Sequence, residues 1–150
     1  MEAVAPDRRL AGRYLLEELL ATGGMATVWR GRDDVLARTV AIKILSEALA
    51  GDPTFVERFR REAVAAAGLV HPHVVQVFDT GSHDGVFYIV LEHFESETLE
   101  ALAHRIGPFQ PEQAAEVTLP VLAALGAAHH AGLVHRDISP RTSWSGWTGG

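Results

Sequence analysis

Two residues of this chain carry charge where the surrounding pattern calls for apolar side chains. Lys43 lies in Val40-Ala41-Ile42-Lys43-Ile44-Leu45, a run suited to a buried strand, and by alternation it shares a side with Ala41 and Leu45. An ammonium there either keeps its head in water while its stem packs at a strand edge, or meets an anion. Glu62 falls on a helical stripe with Phe55, Phe59 and Ala66. It is either solvated at the edge of that stripe or paired with a cation. On adjacent elements, the base and the acid account for each other, and the chemistry on offer is an ammonium–carboxylate pair.

The elements that must position this pair are legible from periodicity and punctuation. Residues 1–12 form a flexible leader. From Tyr14 to Glu92 the pattern is of short β-type runs broken by one helix. Leu15–Leu20 and Ala26–Arg32 flank Thr22-Gly23-Gly24, a hairpin with a glycine tip. Thr39–Leu45 is a buried strand. Val74–Phe78 and Val86–Glu92 flank a turn over Gly81-Ser82-His83-Asp84-Gly85. The helix begins at Asp52 as cap with Pro53 in its first turn and runs to about Gly68. After Phe94 the composition shifts to Ala, Leu and Glu, predicting helices over Thr98–Arg105 and Pro111–Ala131, the second bent or loosened by Pro120 and ended by Gly132.

Composition narrows the class. The chain has 150 residues, 47% of them hydrophobic and 21% charged, which is globular and one domain's worth of core. A net charge of -6 with no basic stripe argues against a nucleic-acid surface. With no cysteine there is no disulfide framework and no thiolate metal site, so a reducing cytoplasm is the expected compartment. The first residues carry a carboxylate where a signal peptide wants positive charge, and the apolar stretch Val117–Ala128 is too short to span a bilayer. His71 and His73, and His129, His130 and His135, lack a convergent carboxylate or thiolate at ligand spacing, so no metal ligand is assigned among them. Glu95, Glu97 and Glu100 read as a solvated face, with peptide selection as the alternative.

In chain order, several segments resemble the bacterial (Hanks-type) serine/threonine protein kinases. Val40-Ala41-Ile42-Lys43 is similar to the strand whose lysine holds ATP phosphates and pairs with a helix glutamate, and Glu62 in Phe59-Arg60-Arg61-Glu62-Ala63 sits where that glutamate would be. Leu20-Ala21-Thr22-Gly23-Gly24-Met25-Ala26-Thr27-Val28 resembles the glycine-rich loop, with Ala21 and Ala26 in place of its first and third glycines. His71-Pro72-His73-Val74-Val75 resembles the family's link from helix to next strand. Leu91-Glu92-His93-Phe94 resembles the hinge, and His135-Arg136-Asp137 the catalytic H-R-D.

The resemblance implies ATP-dependent phosphorylation of Ser/Thr hydroxyls on proteins, with Mg2+ as the metal. Lys43 and Glu62 would position phosphates under Ala21, Thr22, Gly23 and Gly24. Val28 and Ala41 would sandwich adenine, the backbone of Glu92 and Phe94 would take its edge, and Asp137 would be the base. The implied fold is α+β: a mostly antiparallel five-stranded lobe with one helix over residues 13–94, then the first helices of a second lobe over 95–140. Beyond Asp137 the pattern departs from H-R-D-x-K-P-x-N. Ser139 stands where the family has lysine, and Thr142 where it has a metal-binding asparagine.

Residues 141–150 show no hydrophobic period. Read one base back, their codons permit Ala-Asn-Val-Leu-Val-Trp-Leu-Asp-Gly, so a frameshift is expected to have truncated a kinase here, before the D-F-G aspartate and the rest of the helical lobe. The expected consequences are very low activity, and poor solubility or partial disorder beyond Gly132. The alternatives are a non-catalytic nucleotide-binding or interaction fragment, and a pseudogene product without a role.

Overall fold

A computed structural model describes residues 4–95, 97–135 and 138–139. They divide into two units, one from the described residues up to Ala67 together with Val77–His93, the other from Gly68–Gln76 together with the described residues from Phe94 onward.

The first unit is built on an antiparallel sheet in the order β1-β2-β3-β4-β6-β5, with β1 at Arg9–Leu10, β2 at Tyr14–Thr22, β3 at Ala26–Asp33, β4 at Arg38–Leu45, β5 at Val77–His83 and β6 at Val86–Glu92. Alternation decides what each side buries. Val40, Ile42 and Ile44 of β4 are at most 1% exposed and join Trp29, Tyr88, Val90, Leu10, Tyr14 and Leu16 in one core. Each such aliphatic side chain contributes roughly 1.5–3 kcal/mol by leaving water. Register shifts in β2 between Leu16 and Glu18 and between Leu19 and Ala21 curl the sheet around this core.

The sheet has six strands where five were expected. The sixth comes from the expected leader, which is not loose throughout: Leu10 is fully buried and β1 pairs with β2. β5 starts at Val77 instead of Val74, because His71-Pro72-His73 turns first, with the Val74 amide donating to the His71 carbonyl at 3.1 Å. The β5–β6 turn is Asp84-Gly85 alone, both at positive φ (48° and 77°), with His83 opposite Val86. Asp-Gly is the preferred pair for such a two-residue hairpin turn, and Gly81 to His83 therefore belong to the strand. A short helix, α1 at Glu47–Ala50, also went unforeseen.

Helix α2 covers Pro53–Ala67, and Asp52 caps it by accepting from the Thr54 amide at 2.8 Å. Phe59 and Ala63 are its buried residues. In the second unit, α3 spans Leu99–Ile106 with Thr98 capping through the Ala101 amide, and α4 spans Pro111–His130 behind a Gln110–Gln113 capping box. Helix α4 is unbroken across Pro120.

A charged network ties the strand ends of the first unit together. Asp33, fully buried, accepts two hydrogen bonds from Arg13 at 2.8 Å each and two more from the Val35 and Leu36 amides at 3.1 and 3.2 Å. These donors, the Arg13 guanidinium foremost, hold its carboxyl down at about 2. Tyr14, opposite Asp33 in the ladder, donates from its hydroxyl to Asp79 at 2.5 Å, and burial together with that carboxylate pushes the phenol up. Gly31 is required by space: a Cβ there would lie 2.6 Å from both the Leu15 carbonyl oxygen and Ile42 Cδ1.

Candidate active site

The sheet face opposite the main core carries four of the residues singled out from sequence, Ala21, Val28, Ala41 and Lys43. Val28 lies directly across from Lys43, Lys43 from Ile89, Ala41 from Leu91, and Ala21 from Val28. Residues paired this way share a face. Ile89 and Leu91 are buried; Val28, Ala41 and Lys43 are half-buried. The result is an apolar floor with the Lys43 ammonium set into it. Burial pushes the Lys43 ammonium below the ordinary lysine range, and the Glu62 carboxylate acts in the opposite sense.

Helix α2 brings Glu62 to this side of the sheet, and Arg60 from the same helix stacks over the Phe87 ring at 5.3 Å. Glu62 sits on the flank of the apolar stripe, 44% exposed, and accepts from Arg58 Nε at 3.1 Å. Phe59 and Ala63 form the buried centre of the stripe. The expectation that Glu62 meets a cation thus has two candidates: Lys43, which feels its charge, and Arg58, which donates to it. Sequence reasoning missed Arg58, although its i,i+4 relation to Glu62 is visible there.

Thr22, Gly23 and Gly24 form the exposed tip between β2 and β3, closed by the Gly23 amide donating to the Ala26 carbonyl at 2.9 Å. Neither glycine has positive φ. A Cβ at Gly24 would meet nothing within 4 Å, and one at Gly23 would only touch the Ala26 carbonyl oxygen at 3.4 Å. Their lack of a side chain therefore serves neither packing nor backbone strain, and it leaves the tip backbone open to close approach.

Glu92 ends β6, opposite Val40. Phe94 belongs to the second unit and is 47% exposed. Asp137 and Arg136 lie outside the described residues, as do Thr142 and the rest of 140–150. Among the described residues no group of three His, Asp or Glu side chains is arranged to hold a metal ion, and no helix is long and apolar enough to cross a membrane.

Comparison with known proteins matches the same residues. Residues 14–141 match the protein kinase domain family. A probable serine/threonine-protein kinase of Streptomyces coelicolor is 47% identical over 137 residues, covering 89% of this chain. The serine/threonine-protein kinase PrkC of Bacillus subtilis is 41% identical over 133 residues, and PknB of Mycobacterium tuberculosis 44% over 135. The chain spans only about 20% of the length of the first two and 22% of the third. Among solved structures, a point mutant of the PknI kinase domain of Mycobacterium tuberculosis superposes with a TM-score of 0.78 at 31% identity, covering 96% of this chain and 59% of that one. The chain belongs to the protein kinase domain family, and the relatives it resembles are bacterial serine/threonine kinases.

Proposed function

We propose that the Lys43 face of the sheet binds ATP, and that the chain carries the nucleotide-binding lobe of a kinase whose reaction is phosphoryl transfer to Ser/Thr hydroxyls on proteins. The observation that carries this reading is Lys43 itself: a half-buried ammonium, depressed by desolvation, on an apolar floor of Val28, Ala41, Ile89 and Leu91. A cation desolvated in this way gains more from a polyanion than one in water does.

The residues present fit ATP. Lys43 would engage the phosphates and Glu62 would orient it. The tip backbone at Gly24, beside the Gly23 amide that is bonded to Ala26, would approach the phosphates without a side chain intervening. Val28 and Ala41 would lie against adenine, and the Glu92–Phe94 backbone would take its edge. Asp137 is assigned from sequence as the base that orients the acceptor hydroxyl and takes its proton.

Mg2+ neutralises phosphate charge throughout this family, and here its support is weak. Thr142 offers a hydroxyl where the family has an amide oxygen, and Ser139 replaces the lysine that assists the transferring phosphate. The serine is tolerable, because that lysine is not the base; Thr142 favours nucleotide binding with very low turnover, which keeps a non-catalytic binding module as the second reading. The acidic balance and the absence of cysteine support a protein substrate in a reducing cytoplasm over a nucleic-acid partner.

Displacement of a fluorescent ATP analogue, with and without Mg2+, tests the binding step, and Lys43→Met is expected to weaken it at least tenfold. Unchanged affinity in that variant would sink the assignment. Transfer of labelled γ-phosphate to a generic basic acceptor then separates enzyme from binder.

A further inference from the structure

We infer that Arg58 is a positioning residue that competes with Lys43 for the Glu62 carboxylate and so tunes how strongly the site holds a nucleotide; this rests on the ATP reading given above. Among the described residues Glu62 is an acid whose charge raises Lys43 against its desolvation, and it is also the acceptor of the Arg58 Nε bond at 3.1 Å. The two cations stand on different elements, Lys43 on β4 and Arg58 one turn before Glu62 on α2. A carboxylate drawn toward its own helix offers less of its charge to the strand. At 44% exposure for Glu62 and 54% for Arg58, the helical pair is wet and weak, which is what a reversible competitor requires.

The same helix contains its own control. Arg61 pairs with Glu57 by the same i,i+4 geometry at 3.6 Å, more exposed on both sides, and Glu57 has no part in the Lys43 balance. The chain also holds a single lysine, so any lysine side-chain signal reports Lys43 alone.

The test is a double-mutant cycle on the full chain. Arg58→Met should bind fluorescent ATP about twofold tighter, the factor typical of one exposed helical ion pair. Arg61→Met should not change affinity, and Arg58→Lys, which keeps a cation on Glu62, should stay near the parent. In a Glu62→Gln background the gain from Arg58→Met should vanish. Unchanged or weaker binding in Arg58→Met, or a gain that survives in Glu62→Gln, overturns the inference.

A second readout does not need nucleotide. In 13C-lysine-labelled protein, Arg58→Met should move the Lys43 titration upward by more than it does in the Glu62→Gln background, where only the loss of a nearby cation acts. An equal movement in both backgrounds overturns the competition. If the titration behaves as expected while no variant binds ATP, the nucleotide reading and the tuning fail, and only the competition of Arg58 with Lys43 for Glu62 stands.

Discussion

Replacing Asp33 by Asn tests whether the charged network at the strand ends holds the sheet together. The side chain is 1% exposed and accepts four hydrogen bonds, two of them from Arg13. Asn keeps the shape but removes the charge and turns an NH2 group toward a guanidinium that can only donate. The folded carboxyl titrates at about 2, against ~3.9 for an unfolded aspartate, so near two units at 1.36 kcal/mol each set an upper bound of ~2.5 kcal/mol. Arg13 is 31% exposed, and solvent screening of that side brings the expected loss to ~2 kcal/mol. A depressed carboxyl stabilises the fold above its unfolded value and loses that contribution as pH falls through its folded value. Asp33→Asn should therefore be ~2 kcal/mol less stable than the parent at pH 7, with the gap closing between about pH 4 and pH 2. Urea unfolding followed by circular dichroism at a series of pH values measures this. A gap below ~0.5 kcal/mol at pH 7, the scatter of ordinary surface changes, or one that does not narrow in acid, refutes the reasoning.

Three further expectations rest on other features. Gly31→Ala should cost about 3 kcal/mol, since its Cβ would meet the Leu15 carbonyl at 2.6 Å, whereas Gly24→Ala, facing open space at negative φ, should leave the melting temperature within a degree or two. Tyr14→Phe should lose ~1 kcal/mol with the hydroxyl bond to Asp79, read by the same urea titration; no loss would mean water replaces that partner. ATP affinity should decline on the alkaline side at a lower pH than an ordinary lysine near 10.4 would give, because the depressed ammonium loses its proton earlier; a decline only above that value would mean that Lys43 is solvated.

What sequence reading catches and misses follows from how far each signal travels along the chain. Asp52-Pro53 and Thr98 mark helix starts within three residues, and both caps form. The apolar run of β6 is buried on both faces and its limits are those expected. The Arg13–Asp33 and Tyr14–Asp79 bonds join residues 20 and 65 positions apart, and nothing local announces them. Gly81 reads as a turn residue by composition, yet it lies in β5 under the Tyr88 ring, where a Cβ would come within 2.6 Å of the hydroxyl. A glycine inside a strand signals such close approach, so Gly31 and Gly81 are both readable in principle. At the candidate site, alternation alone puts Lys43 beside Ala41, while the pairing with Val28 and Ile89 needs the register.

The strand order has a consequence for synthesis of the chain. β6 is inserted between β4 and β5, so β4 has no neighbour on that side until residues 86–92 have left the ribosome. Through that interval a nascent chain presents the open hydrogen-bonding edge of its most apolar finished strand. An open edge of this kind pairs readily with other chains. Chaperone demand should accordingly peak in the window between translation of β4 and translation of β6, and slow codons placed there would raise the yield of aggregate without altering a single residue.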